Sequence, residues 1–191
     1  MKVIYIHGFN SAGYGNKINK LKEAFGDENV IALTLPYNPE KAMKLLEFLT
    51  ETIKEKENLI LVGTSLGGFY GLYLGAKYKV PSVLINPSTD PYNSLKTQVG
   101  KQKNYKTDEE YEFSYKDLES LKKYYLSEKE IKEAKPYIYV YLDEEDELLD
   151  SRKTKEFFEK FDIYVKMYPN GNHRFQHMDE LIEDLREKLN L

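Results

Sequence analysis

Two kinds of segment alternate along this chain. Six short apolar runs, at positions 3–6, 30–35, 59–62, 82–85, 138–142 and 163–167, have the length of single strands, and several are β-branched, as suits strands buried on both faces. Between most of them apolar residues recur at helical spacing, which predicts helices over 17–25, 39–56, 66–78 and 152–161 and a closing helix over 178–189. Asn38 followed by Pro39 marks the start of the second helix as an N-cap and a first-turn proline. This order of elements is that of an α/β fold: one domain over 1–191 with a compact, doubly wound parallel sheet of about six strands.

One connection breaks the rhythm. Positions 87–136 put about fifty residues between the fourth and fifth strands, where an α/β unit ordinarily spends roughly 2–6. The stretch is polar and rich in tyrosine, with helices expected over 115–125 and 127–134. It could be a solvated decoration. The sequence favours a cap instead, because Tyr92, Tyr105, Tyr111, Tyr115, Tyr124 and Tyr125 would be costly to expose together and the ends of the insertion lie beside the carboxyl edge of the sheet. Lys96, Lys101, Lys103 and Lys106 would then face outward, toward an anionic leaving group such as coenzyme A.

Composition narrows the function by exclusion. With 191 residues, 41% of them hydrophobic, the chain can bury a substantial core and is not disordered. A net charge of −4 with lysine and glutamate mixed throughout leaves no basic stripe for nucleic acid. There is no cysteine, hence no disulfide, thiolate nucleophile or cysteine metal site. The opening residues are too sparsely apolar for a signal peptide and no run approaches a membrane span, so the expected location is the cytoplasm. Oligomeric state leaves no mark on the sequence.

The chemistry concentrates after the strands, at the carboxyl edge where such sheets bind ligands. The third strand runs directly into Gly63-Thr64-Ser65-Leu66-Gly67-Gly68 and then into a helix. A turn that tight requires strained dihedrals at its tip and small flanking residues, which exposes the hydroxyl of Ser65. His173 follows the last strand in a loop of Gly171 and asparagines, and the fifth strand is followed by Asp143-Glu144-Glu145-Asp146-Glu147. Hydroxyl, acid and imidazole are the set that acyl transfer by a serine requires: the imidazole takes the serine proton and the carboxylate fixes the imidazole's tautomer. The acid loop offers six carboxylates, most of them expected to be solvated, with Asp146 and Asp143 the candidates for the third role. Leu66 N–H, at the start of the helix, and Phe9 N–H, in the His7-Gly8-Phe9-Asn10 loop after the first strand, are the candidate oxyanion donors. His7 is expected to organise that loop, and His177 to sit on the surface or cap the last helix. Spacing of four between His173 and His177 without a third ligand makes no metal site, and no cofactor is expected.

Taken together, YIHGFNSAG, GTSLGG, INPSTDPY, DELLDSR and GNHRF resemble, in order and over nearly the whole chain, the α/β-hydrolase superfamily and within it the small YqiA/YcfP-like esterases. The resemblance implies a serine hydrolase acting on carboxylic esters, with acyl thioesters as further candidates. It implies Ser65 as nucleophile, Asp146 as acid and His173 as base, with Phe9 and Leu66 supplying the oxyanion donors. Some relatives carry glycine where this chain has Ser65, so a non-catalytic binding or scaffold role is the first alternative. An acyltransferase or peptidase using the same triad is the second. Nucleotide binding through GFNSAGYGNK fails on spacing, since Tyr14 stands where a phosphate-binding lysine belongs.

Overall fold

A computed structural model describes residues 1–190 of the chain. In chain order its elements are β1 (Lys2–Ile6), α1 (Asn16–Phe25), β2 (Val30–Ala32), α2 (Pro39–Lys54), β3 (Leu59–Thr64), α3 (Leu66–Tyr78) and β4 (Ser82–Ile85). The insertion contributes α4 (Pro91–Ser94), β5 (Gly100–Lys103), β6 (Glu110–Phe113), α5 (Tyr115–Ser120) and α6 (Glu128–Ala134). β7 (Ile138–Asp143), α7 (Ser151–Glu159), β8 (Tyr164–Tyr168) and α8 (Met178–Leu189) complete it. Among the described residues no helix is long and apolar enough to cross a membrane.

The six apolar runs form one sheet in the order β2-β1-β3-β4-β7-β8, with every pairing parallel. Side chains alternate across it. Val3 and Tyr5 face Ile18 and Leu21 of α1 and Leu181 and Leu185 of α8, while Ile4 and Ile6 face Met43 and Leu46 of α2 and Phe69 and Leu74 of α3. Farther along that second face, Leu84, Val140 and Leu142 meet Phe158 of α7 and Ile131 of α6. β3, flanked by strands and covered on both faces, is buried at every residue, which is why its sequence reads as a continuous apolar run. The chain leaves β1 for β2 on one side and returns to β3 on the other, so the carboxyl ends of β1 and β3 lie side by side at the point where strand order reverses.

Two elements are shorter than the sequence pattern predicts by three residues or more. β2 ends at Ala32 instead of running to Leu35, because Leu35 N–H turns out of the sheet to donate to His7 Nε2 at 2.9 Å. The helix expected over 115–125 stops at Ser120, whose hydroxyl donates to the carbonyl of Asp117 at 2.7 Å and draws the next turn into a 3₁₀ form over Leu121–Tyr124. The insertion also holds an antiparallel pair, β5 with β6, which its polar sequence did not announce. Tyr111 stacks on Tyr37 with centroids 3.6 Å apart and Tyr124 packs edge-on against Tyr73, whereas Tyr105 and Tyr115 stay exposed. The expectation that all six tyrosines would be covered holds only for part of the set.

α8 is fastened to the sheet by one carboxylate. Asp184 accepts hydrogen bonds from Tyr141 Oη (2.9 Å), Tyr164 Oη (2.8 Å) and Lys166 Nζ (2.6 Å). Burial alone would raise its pKa, but these three donors outweigh it and the carboxyl lies below its ordinary value. A carboxyl depressed on folding stabilises the protein above its unfolded-state pKa of about 3.9, and that contribution is lost as pH falls through the folded value. Asp184→Asn is therefore expected to cost about 1–3 kcal/mol at neutral pH by urea unfolding. The gap from the wild type should close below about pH 4; a gap that does not change with pH would refute the assignment.

Candidate active site

At the end of β3 the backbone takes φ 56° and ψ −118° at Ser65, a left-handed conformation that costs a side-chain-bearing residue about 1–3 kcal/mol. The surroundings enforce it. Ser65 N–H donates to the carbonyl of Ile85 at 3.0 Å, and the Ser65 carbonyl accepts from the N–H groups of Gly68, Phe69 and Ser88 at 2.9, 3.2 and 3.0 Å. The turn also needs its glycines: a Cβ on Gly63 would run into the carbonyl of Gly67, and one on Gly67 into the carbonyl of Ile6. Ser65 is left half-exposed among buried neighbours. Thr64, the adjacent hydroxyl, is buried and lies 3.2 Å from Tyr5 Oη.

The loop after β1 lies against this turn. A Cβ on Gly8 would sit 3.2 Å from Ser65 Cβ and 3.7 Å from its Oγ. Nε2 of His7 accepts the Leu35 N–H, so Nδ1 carries the proton and donates to the Gly8 carbonyl at 2.7 Å. Burial lowers the pKa of this imidazole more than that bond raises it, which keeps the ring neutral and the loop fixed. From the insertion, Gln102 Oε1 accepts from Asn10 Nδ2 at 3.0 Å and Asn104 Nδ2 donates to the Ser11 carbonyl at 2.9 Å. Phe9 and Leu66 line one cavity with Ser65, and among the described residues neither N–H has a backbone acceptor.

Asp146 and His173 are brought together. Nδ1 of His173 lies 2.8 Å from Oδ2 and 3.0 Å from Oδ1 of Asp146, whose side chain is 1% exposed, while the imidazole is 16% exposed. Oδ1 of Asp146 also accepts the Leu148 and Leu149 N–H groups at 2.8 Å each, so the carboxylate is fixed from both sides. With Nδ1 engaged, Nε2 is the nitrogen left for proton transfer. Ser65 and His173 line the same cavity, of about 440 Å³, without a direct hydrogen bond between them. A larger depression of about 630 Å³, over residues 144–152, is more open and contains neither Ser65 nor His173.

Asp143, the other candidate acid, pairs with the other histidine. It is fully buried, with Oδ1 2.6 Å from His177 Nδ1 and Oδ2 accepting the Gln176 N–H at 2.7 Å. His177 stacks on Tyr168 with centroids 4.8 Å apart and makes no cap to α8. Most of the other acids of the loop are exposed, as expected, yet some of them still bond: Glu147 accepts the His173 N–H at 2.9 Å, and Asp150 caps α7 through the Lys153 N–H. Sequence reasoning passed over Asn86, which joins three strand ends. Its Oδ1 accepts the Asp143 N–H at 2.9 Å and its Nδ2 donates to the Asn172 carbonyl at 3.0 Å. The sequence signal for it was the asparagine directly after β4, in INPST.

A model of the uncharacterised protein family UPF0227 matches residues 2–188, and the chain belongs to that family. A UPF0227 protein of Vibrio parahaemolyticus is 24% identical over 190 residues, covering 97% of each chain. Among solved structures, Est1E from Butyrivibrio proteoclasticus superposes with a TM-score of 0.73 over 98% of this chain and 86% of its own, at 13% identity. The Paleococcus ferrophilus monoacylglycerol lipase gives 0.70 over 98% and 93%, at 15% identity. The fold is that of the α/β hydrolases.

The Asp143 contacts generate a prediction that separates it from the solvated acids of its loop. Asp143→Asn turns an acceptor toward a donor inside the protein and should cost about 1–3 kcal/mol in urea unfolding. Glu145→Gln, at an exposed position, should stay within about 0.5 kcal/mol of the wild type. Equal stability of the two variants would show that Asp143 does not hold the histidine loop.

Proposed function

We propose that this UPF0227 protein is a serine hydrolase of carboxylic esters, with acyl thioesters within its reach. The observation that carries the reading is that His173, held from behind by Asp146, lines the same cavity as the strained Ser65. In the reaction Ser65 Oγ attacks the acyl carbon while His173 Nε2 takes its proton, and the carbonyl oxygen becomes an oxyanion. That charge develops beside the N–H groups of Phe9 and Leu66, the second at the positive end of α3. The tetrahedral intermediate collapses as His173 returns the proton to the departing alcohol or thiol, leaving Ser65 acylated. Water, deprotonated by the same nitrogen, then releases the acid and restores the serine. Asp146 keeps the Nδ1 proton in place and stabilises the imidazolium at each stage.

The 87–136 insertion acts as the cap of this site: Pro91, Leu95, Gln98 and Tyr105 line the cavity beside Ser65. The names of the two solved neighbours, an esterase-type label and a monoacylglycerol lipase, fit ester substrates, and their likeness to this chain is one of fold.

The reading is tested on a p-nitrophenyl ester of a short acid. Ser65→Ala is expected to lose on the order of 10⁴-fold or more in kcat with unchanged unfolding, since the hydroxyl stands at a turn tip outside the core. Asp146→Asn should lose roughly 10³–10⁴-fold through the wrong imidazole tautomer. A fluorophosphonate should label the wild type and leave Ser65→Ala unmodified. Wild-type turnover in Ser65→Ala would remove Ser65 as the nucleophile and sink the serine-hydrolase reading; no turnover and no labelling of the wild type would move the chain to the binding or scaffold alternative.

A further inference from the structure

The cavity contains charge that ester hydrolysis does not require. Lys17 lines it from the first turn of α1, and Arg174 from the position after His173. No aspartate or glutamate lines it. Asp146 spends its oxygens on the His173 ring and on two backbone N–H groups. Among the described residues, neither the Lys17 ammonium nor the Arg174 guanidinium has an ion-pair or hydrogen-bond partner; the one bond to a side chain at Arg174 is made by its backbone N–H, to Asn172.

Most local influences on Lys17 work against its charge, and the buried Asp143 carboxylate, which works the other way, is outweighed. It is half-buried, and it stands at the start of a helix that has no acidic residue in its first turn and no side-chain cap, where the helix dipole disfavours cations. Burial first, then like charge from Lys106 and Arg174, brings its pKa down to about 8. A cation held in such a place lacks a partner of opposite sign. On the same lining, Ser88 Oγ is buried with no hydrogen-bond partner, at a residue 6% exposed.

We propose that this wall binds an anionic group, a carboxylate or a phosphate, carried by the substrate itself. The proposal rests on the hydrolase reading and gives it a substrate class: charged esters or thioesters rather than neutral ones. Arg174 supplies a planar fork that matches either oxyanion, and Lys17 a point charge. Two lysines of the insertion are less suited to this task. Lys103 is paired with Asp108, and Lys96 donates to Asn93 and lies over the ring of Tyr92.

The test measures binding to Ser65→Ala by calorimetry, so that turnover cannot consume the ligand. Three probes separate the possibilities: dimethyl succinate is neutral, monomethyl succinate carries its charge on the acyl side, and 2-acetoxyethyl phosphate carries it on the leaving group. At least one charged probe should bind ~10-fold or more tightly than the neutral ester, as expected for charge-assisted contacts. Which one does so tells where the substrate bears its charge. The preference should shrink to a few-fold or less when Lys17→Met or Arg174→Gln is added, with Lys17→Gln used in place of the methionine if that variant is unstable. Equal affinity for all three probes, or a preference that survives both substitutions in folded protein, would overturn the proposal. Selective binding without any wild-type turnover would sink the hydrolase reading and leave the anion site standing; turnover with no selectivity would do the reverse.

Discussion

The left-handed backbone at Ser65 is the constraint from which the rest of the site follows. One unfavourable conformation is held by four hydrogen bonds through its own peptide groups, three of them converging on a single carbonyl. Those bonds tie the turn to β4 through Ile85 and to the loop after it through Ser88, so the sheet cannot relax the strain without breaking its own ladder. The same requirement fixes the composition on either side. Strand and helix can double back only where Gly63 and Gly67 leave room, and Ile6 can approach only because Gly67 has no side chain. A helix that begins one residue later then points its N-terminus into the cavity that Ser65 and Leu66 line.

Positioning of the imidazole is solved by a different device, a loop held from several directions by carboxylates. Asp146 fixes the His173 ring, Glu147 its backbone N–H, and Asp143 the Gln176 N–H and the His177 ring. Asn86 ties that loop to the ends of β4 and β7, and its own backbone adopts φ 40°, a further local cost accepted at the sheet edge. Since β4 also anchors the Ser65 turn, serine and histidine are referred to one common strand end. Their relation is set by the rigid sheet rather than by a direct bond between the two side chains.

The fold was legible in the sequence because a sheet covered on both faces leaves a continuous apolar signature. All six strands of the sheet fall on apolar runs, and five helices match their spacing to within about two residues. What was illegible is where side-chain hydrogen bonds override propensity: the early end of β2 at His7 and the 3₁₀ turn after Ser120. The β5–β6 pair escaped because its alternation is polar on polar, with Phe113 its one buried apolar residue. In the site, Ser65 and His173 stood out by spacing, whereas the acids did not. Aspartate and glutamate look alike in a string whether they are solvated or buried, and only the placement of each carboxylate separates Asp146 and Asp143, with their buried side chains, from exposed Glu145.

The same acids explain how an acidic chain can present a cationic cavity. In the 143–150 loop the donors to the carboxylates are close and numerous, and Asp143, which acts on Lys17 at a distance, is outweighed there by burial and like charge. Asp143, Asp146 and Glu147 spend their oxygens on imidazole and amide N–H groups, and none of the three lines the cavity. What remains facing the ligand is positive: the open end of α3, the unmatched N–H groups beside Ser65, and the side chains of Lys17 and Arg174. In the proposed reaction an oxyanion formed at the acyl carbon would meet no opposing carboxylate on that lining, and a permanent anion on the proposed substrate would meet two cations without partners. Both effects would arise from one arrangement, in which carboxylates are engaged in holding the histidine loop and positive charge is left free on the cavity lining where the proposed substrate would sit.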